Sequence, residues 1–242
     1  MTVNRLEAGI YHPEVEKDVE HIKIEIYAIV ESLINKPEHF VGEGTTAEVY
    51  KDSLNPKICY KVLRETYDRF VNSSRKEMDL QERAERVNGD DCRVATPIAW
   101  FKVAVPELNN DKDYLGEVQI VVMETLDAVT LHDVIGGKHS LPEKYNHGEF
   151  FTGLKRFVND MHNKENIHHR DLKDTNIMID LETGKPRVID FGAAISTAAM
   201  DEEQNPYRQP LNGGFQELSR DIPQIESLQK TMSSLLNTKK TV

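Results

Sequence analysis

Between Pro13 and Lys36 apolar residues return every three or four positions, at Val15, Val19, Ile22, Ile26, Ile29, Val30 and Leu33. That spacing lines one face of a helix, and Pro37 supplies its end. The period then changes. From about Val41 to Leu63 the chain reads as strands, with the compact apolar run Ile58-Cys59-Tyr60-Lys61-Val62-Leu63 among them. Phe70, Ser74, Glu77, Gln81 and Ala84 return to helical spacing, which predicts a helix reaching about Asn88. Val94 to Val105 reads as a strand, Pro106 to Asp113 as a polar hairpin loop, and Val118 to Leu126 as a further strand. Two more helices are expected, over Leu131 to Gly137 and over Glu149 to Asn163; the second buries Phe150, Leu154, Phe157, Val158 and Met161. The expected class is α+β, with no internal repeat and no low-complexity tract.

Composition narrows the setting. A chain of 242 residues with 38% hydrophobic and 7% aromatic residues exceeds one typical small domain and supports a sizeable core. Only Cys59 and Cys92 are present, too few for a disulfide framework and suited to a reducing compartment. No apolar run approaches membrane-spanning length, and the N-terminus lacks a basic segment followed by an apolar one. A net charge of −11 opposes binding to nucleic acid or an anionic membrane, because polyanions require concentrated basic surface. The expectation is a cytoplasmic protein with neither nucleic acid nor membrane as partner.

The chemistry concentrates in Ile167-His168-His169-Arg170-Asp171-Leu172-Lys173-Asp174-Thr175-Asn176, followed by Asp190-Phe191-Gly192. At roughly one residue in twenty per position, His169-Arg170-Asp171-Leu172-Lys173 with Asn176 at its offset recurs by chance about 10⁻⁷ to 10⁻⁸ times per starting point. Upstream stands Val41-Gly42-Glu43-Gly44-Thr45-Thr46-Ala47-Glu48-Val49-Tyr50, which by itself would be an ordinary glycine-containing turn. His162, His168 and His169 lie close in sequence but lack a metal-ligand spacing with partners, and zinc is not expected there.

Taken in order, these segments resemble the eukaryotic-type protein kinase superfamily. The resemblance covers roughly Phe40 to Leu236 and implies a two-lobed kinase fold that binds ATP with Mg²⁺, Mn²⁺ being a substitute. It assigns Gly42, Gly44 and Val49 to the phosphate-covering loop, with Ala47 where the third glycine would stand. Lys61 becomes the phosphate-binding lysine and Glu77 its partner, although Ser74-Arg75-Lys76-Glu77 also fits a helix capping box. Met123 takes the gatekeeper position, and the backbone of Glu124 and Leu126 that of the adenine contacts. Asp171 is the implied base, Lys173 the cation beside the transferred phosphoryl group, and Asn176 and Asp190 the metal ligands. His169 reads as the packing histidine of the catalytic loop. Arg170 and Lys173 favour a protein Ser/Thr substrate over the small molecules served by relatives that carry His-Gly-Asp. The alternatives are a kinase-like binding module, which loss of Lys61, Asp171 or Asp190 would have signalled, and a small-molecule kinase.

Departures accompany the matches. After Gly192 no Ala-Pro-Glu occurs, and 50 residues remain (242 − 192 = 50). Ser219 to Leu228 resembles the start of the family's F helix, whose aspartate braces the catalytic loop; Asp221 fits that role and fits a helix N-cap equally. The implied organisation is an N-terminal helical extension over 1–37, a minimal kinase domain over 38–236 that ends near the F helix, and a polar tail over 237–242. The two lobes would run about 38–124 and 127–236. Such reduced forms resemble kinases that bacterial pathogens inject into host cells, which leaves room for a host or regulatory protein partner and delivery to host cytoplasm. Ser196 and Thr197 are the nearest hydroxyls after Gly192, and the acidic run Asp201-Glu202-Glu203 supplies permanent negative charge. Whether those acids pair with Arg170 or form a solvated loop, a segment without the Ala-Pro-Glu anchor has little to switch, so activity without activation-segment phosphorylation is expected.

Overall fold

The computed structural model describes residues 6–10, 19–35, 40–43, 47–64, 74–108, 116–197 and 220–239. The chain divides into two units, Met1–Glu82 with Thr96–Thr125, and Arg83–Ala95 with Leu126–Val242.

The first unit is built on a six-stranded sheet. Its strands are β1 (Leu6–Ile10), β2 (Phe40–Glu43), β3 (Ala47–Lys51), β4 (Ile58–Leu63), β6 (Pro97–Ala104) and β7 (Glu117–Glu124), while β5 (Arg93–Val94) belongs to the second unit. They lie in the order β1-β6-β7-β4-β3-β2, every pairing antiparallel. Strand alternation gives this sheet two different faces. Ile58, Tyr60 and Val62 of β4 and Val118, Ile120 and Val122 of β7 form one core with Ile22, Ile26, Ile29 and Val30 of α1 (Val19–Asn35). Leu63 and Val121 face the other way and pack with Ala47 and with Met78 of α2 (Ser74–Glu85); Trp100 and Met123 complete that side. The face carrying Leu63 also carries Lys61.

A buried polar cluster fastens α1 to the turn after β3. The Asp52 carboxylate accepts from His21 Nε2 (3.0 Å), Tyr60 OH (2.6 Å) and the Leu54 and Asn55 N–H groups, and Glu25 accepts from the Ser53 hydroxyl and N–H. Burial acts to raise the Asp52 pKa, but the bonds from His21, Tyr60 and the backbone outweigh it and hold the carboxyl below its ordinary range. Burial and the neighbouring Asp52 together push the Tyr60 phenol far up.

In the second unit, α4 (His147–Glu165) buries Phe150, Phe151, Leu154, Phe157, Val158 and Met161. It starts where the Asn146 side chain accepts from Gly148 N and Glu149 N, and ends at Asn166 in the left-handed conformation (φ 55°). A four-stranded sheet places β5 beside β11 (Pro186–Val188), then β10 (Ile177–Asp180), then β8 (Ala128–Thr130). A two-stranded ribbon pairs β9 (Ile167–His168) with β12 (Ile195–Ser196). The short α3 (Leu131–Ile135) is capped by Thr130, and α5 is Asp221–Lys239. Among the described residues no helix is long and apolar enough to cross a membrane.

Most element boundaries fall a few residues from the sequence expectation. The helix expected to reach Asn88 ends at Glu85, in a run of turns closed by Arg86, Val87 and Asn88 N–H bonds. The strand expected from Val94 splits into β5 and β6, with a register shift between Pro97 and Ala99. Strand β1 has no counterpart in the sequence reading.

Candidate active site

Lys61 sits at the centre of one row of the first sheet. The register runs Gly42↔Val49, Val49↔Lys61, Lys61↔Val121 and Val121↔Trp100. Residues directly opposite in neighbouring strands share a face. Gly42, Val49 and Lys61 therefore lie in one line on the α2 side. Lys61 Nζ donates to Glu77 Oε1 at 2.6 Å, with the lysine side chain 9% and the glutamate 1% exposed. Two opposite charges are desolvated together, an arrangement that is costly to break on one side only. Glu77 does not close a capping box: the Ser74 hydroxyl bonds to Phe101 O (3.4 Å) and Gln119 Oε1 (3.3 Å) instead. Gly44 lies outside the described residues. Met123 is half-buried on the α2 face, and Glu124 is fixed by Thr96, donating its N–H to Thr96 O at 3.0 Å and accepting from Thr96 N at 3.2 Å. Thr125 N–H donates to Lys57 O at 2.8 Å, which pins the chain just before Leu126, where it passes back into the second unit.

The second unit assembles Asp171, Lys173 and Asn176. Asp171 Oδ2 accepts from Lys173 Nζ (2.8 Å) and from Asn176 Nδ2 (2.9 Å), and the same Asn176 amide donates to Asp171 O (2.9 Å). With Nδ2 turned toward Asp171, the Asn176 Oδ1 is its acceptor end; it takes the Thr175 hydroxyl at 3.3 Å. Asn176 immediately precedes β10 and Asp190 lies just beyond β11. Their antiparallel register pairs Ile177 with Val188, and Ile189 N–H donates to Asn176 O at 3.1 Å. The hairpin thus carries Asn176 and the residue before Asp190 to its open end. Its closed end is held by Asp180, which accepts from Thr183 and from Arg187 Nε (3.0 Å) and Nη2 (2.6 Å). Gly184 turns there at φ 70°.

The geometry of the His169–Leu172 loop is fixed from beneath. His169 is fully buried, its Nε2 donating to Ile189 O (3.0 Å) and its Nδ1 accepting from Asp171 N (3.4 Å). Those two bonds select the Nε2–H tautomer. The ring packs edge-on to Phe191, centroids 4.9 Å apart. Asp221, at the head of α5, accepts from His169 N (2.8 Å), Arg170 N (2.7 Å) and His162 Nε2 (2.8 Å), and Gln224 one turn on accepts from Leu172 N (3.0 Å). Burial acts to raise the Asp221 pKa, but the bonds from His162 and from the His169 and Arg170 N–H groups more than offset it, so the carboxyl stays below its ordinary range. Of the two readings open for Asp221, the loop brace is the one these bonds describe. Arg170 (φ 69°) and Asp190 (φ 67°) both hold left-handed backbone, a strain of about 1–3 kcal/mol each that recurs at functional sites.

Ser196, the nearest hydroxyl after Gly192, is buried in β12 and accepts from Arg83 Nη1 at 3.1 Å. Asp201, Glu202 and Glu203 lie outside the described residues. Sequence reasoning missed Gln224 and His162; for Gln224, the three-residue step from Asp221 on a helix was the available signal. A separate open depression of about 410 Å³ in the second unit is lined by residues including Lys144, Asn146, Arg156 and Lys185 and contains none of Asp171, Lys173, Asn176, Asp190 and Asp221.

The sequence model of the family described as protein kinase domain matches residues 36–209. The chain belongs to that family. A probable serine/threonine-protein kinase of Clostridium perfringens is 32% identical over 163 residues, covering 64% of this chain and 21% of the relative. A probable serine/threonine-protein kinase of Dictyostelium discoideum is 30% identical over 95 residues, covering 39% of this chain and 18% of the relative. The kinase-family chain thus spans about a fifth of the length of these curated relatives. Among solved structures, WaaP in complex with acyl carrier protein superposes with a TM-score of 0.50 at 15% identity, covering 81% of this chain and 76% of that one. At that identity the likeness speaks for the fold alone, which is the α+β kinase fold.

Proposed function

We propose that the chain is an ATP- and Mg²⁺-dependent protein kinase that transfers the γ-phosphoryl group to a serine or threonine hydroxyl. The observation that supports this most is the Asp171–Lys173–Asn176 cluster, braced by Asp221 and Gln224 beside the hairpin that leads to Asp190. Asn176 Oδ1 and the Asp190 carboxylate form an all-oxygen donor pair, the chemistry that Mg²⁺ prefers and Mn²⁺ tolerates. When bound, the metal neutralises charge on the β- and γ-phosphates. Lys61, its Nζ oriented by Glu77, pairs with the α- and β-phosphates, and the loop bearing Gly42 and Gly44 covers them. The backbone of Glu124 and Leu126 meets the adenine edge beside Met123.

Both contacts to Asp171 fall on Oδ2, so Oδ1 is the oxygen assigned to the incoming hydroxyl. It orients that hydroxyl and receives its proton as the bond to phosphorus forms. Lys173 then stands where negative charge accumulates on the transferred group.

The test offers labelled ATP and Mg²⁺ to the purified chain with a mixed protein substrate in one arm and a pool of hydroxylated metabolites in the other. Phosphoserine or phosphothreonine in the protein arm is expected. Label confined to metabolites would move the assignment to a small-molecule kinase, and no transfer in either arm would favour the binding-module reading.

A further inference from the structure

His162 lies in the last turn of α4, His168 is in β9, and the left-handed turn at Asn166 folds one back over the other. The two imidazoles stack with centroids 4.2 Å apart and planes 28° apart. Asp221 reaches the same point from the head of α5, its Oδ2 2.8 Å from His162 Nε2. One ligand atom from each of the three lies within 4.8 Å of the other two. The spacing that the sequence lacked is supplied by the fold, because the third ligand comes from more than fifty positions downstream (221 − 168 = 53).

We propose that His162, His168 and Asp221 form a binding site for a zinc-class divalent cation, and that its occupancy loosens the catalytic loop. Two imidazole nitrogens and one carboxylate oxygen are a borderline set that suits Zn²⁺; Mg²⁺ and Ca²⁺ require oxygens throughout. Three protein ligands leave a fourth position for water. Zinc bonds of about 2.0–2.2 Å place two ligand atoms a little over 3 Å apart, so His162 Nε2 and Asp221 Oδ2 need to separate only slightly from 2.8 Å. The Arg170 N–H holds the other Asp221 oxygen at 2.7 Å and so orients the carboxylate toward the imidazoles, as outer partners of metal ligands do.

Among the described residues a second group of this kind is formed by His21, Glu25 and Asp52. A carboxylate offers about four acceptor positions. Those of Asp52 are taken by His21, Tyr60, Leu54 N and Asn55 N, whereas Asp221 is engaged by three donors.

Binding has a defined consequence. The His162 Nε2 proton passes to solvent as the nitrogen becomes a ligand. The cation then draws on Asp221 Oδ2, the oxygen that also accepts from His169 N at 2.8 Å. The support beneath Asp171 weakens, and turnover falls. This rate effect rests on the proposed kinase reading; the binding itself does not.

The experiment titrates Zn²⁺ into the full chain by calorimetry in excess Mg²⁺, with Co²⁺ as a spectroscopic probe of imidazole ligation. One equivalent is expected to bind to wild type and to Asp190→Ala alike. His168→Leu and His168→Asn, two variants of different polarity each checked by thermal melt, should bind at least about tenfold more weakly. Unchanged binding in both His168 variants, or loss of the cobalt spectrum in Asp190→Ala, would overturn the site. In the kinase assay Zn²⁺ should inhibit wild type and spare the His168 variants; equal inhibition of all three would overturn the link to the catalytic loop.

Discussion

Asp221 does its work through other residues: it touches neither the proposed phosphates nor the proposed nucleophile, yet it holds the backbone on both sides of the His169–Arg170 peptide. Asp221→Asn keeps the volume but aims an N–H₂ group at a ring of donors, so at least one buried N–H loses its acceptor. The expected loss is roughly 1–3 kcal/mol of stability, measured by urea unfolding, together with a fall in kcat and little change in KM for ATP. A variant with wild-type kcat and only lowered stability would show that Asp221 is a structural anchor and not a positioning residue. At this scale the sequence was informative where function is local. Asp171, Lys173 and Asn176 lie within six consecutive residues, so their cluster was legible before any fold was known. The brace was only half legible, since Asp221 read equally well as a helix N-cap and the bonds from His162 and Leu172 span more than fifty positions.

At the scale of elements, two-sided strands explain how Lys61 comes to meet Glu77. Because Ile58, Tyr60 and Val62 are committed to the α1 core, Lys61 and Leu63 must face α2, where Glu77 and Met78 wait. The α1 stripe was visible at helical spacing, and among the described residues Ile22, Ile26, Ile29 and Val30 of it are buried. Strand β1 was not visible, for a physical reason: Leu6, Ala8 and Ile10 do alternate with Glu7 and Gly9, but Glu, Ala and Gly are poor strand formers, and the strand exists by pairing with the edge of β6, where the lack of a side chain at Gly9 admits Trp100. If α1 is integral to the first unit, Ile26→Ala, which removes a fully buried side chain from that core, should destabilise by about 2–5 kcal/mol. Urea denaturation checks this, and a change below about 0.5 kcal/mol would mean that α1 is a dispensable appendage.

At the scale of the whole molecule, the buried carboxylates set the acid limit of the fold. Asp52 in the first unit and Asp180 and Asp221 in the second are all held below the ordinary value of 3.8. A carboxyl with a lowered folded pKa contributes stability that is complete above its unfolded value and is lost as pH falls through the folded one. Stability should therefore be nearly flat above about pH 5 with respect to these groups and fall steeply below about pH 4. Circular dichroism followed against pH reads this directly, and Asp180→Asn should be less stable at neutral pH while showing a shallower acid slope. An unchanged slope would remove Asp180 and its Arg187 pair from the account. The central claim is the proposed phosphoryl transfer in which Asp171 handles the nucleophile. Its most direct test compares kcat of wild type and Asp171→Asn on a protein substrate, with the ATP dissociation constant measured alongside. The account predicts that kcat falls by about 10² to 10⁴ while ATP affinity stays within about threefold; a variant that turns over at the wild-type rate would contradict it.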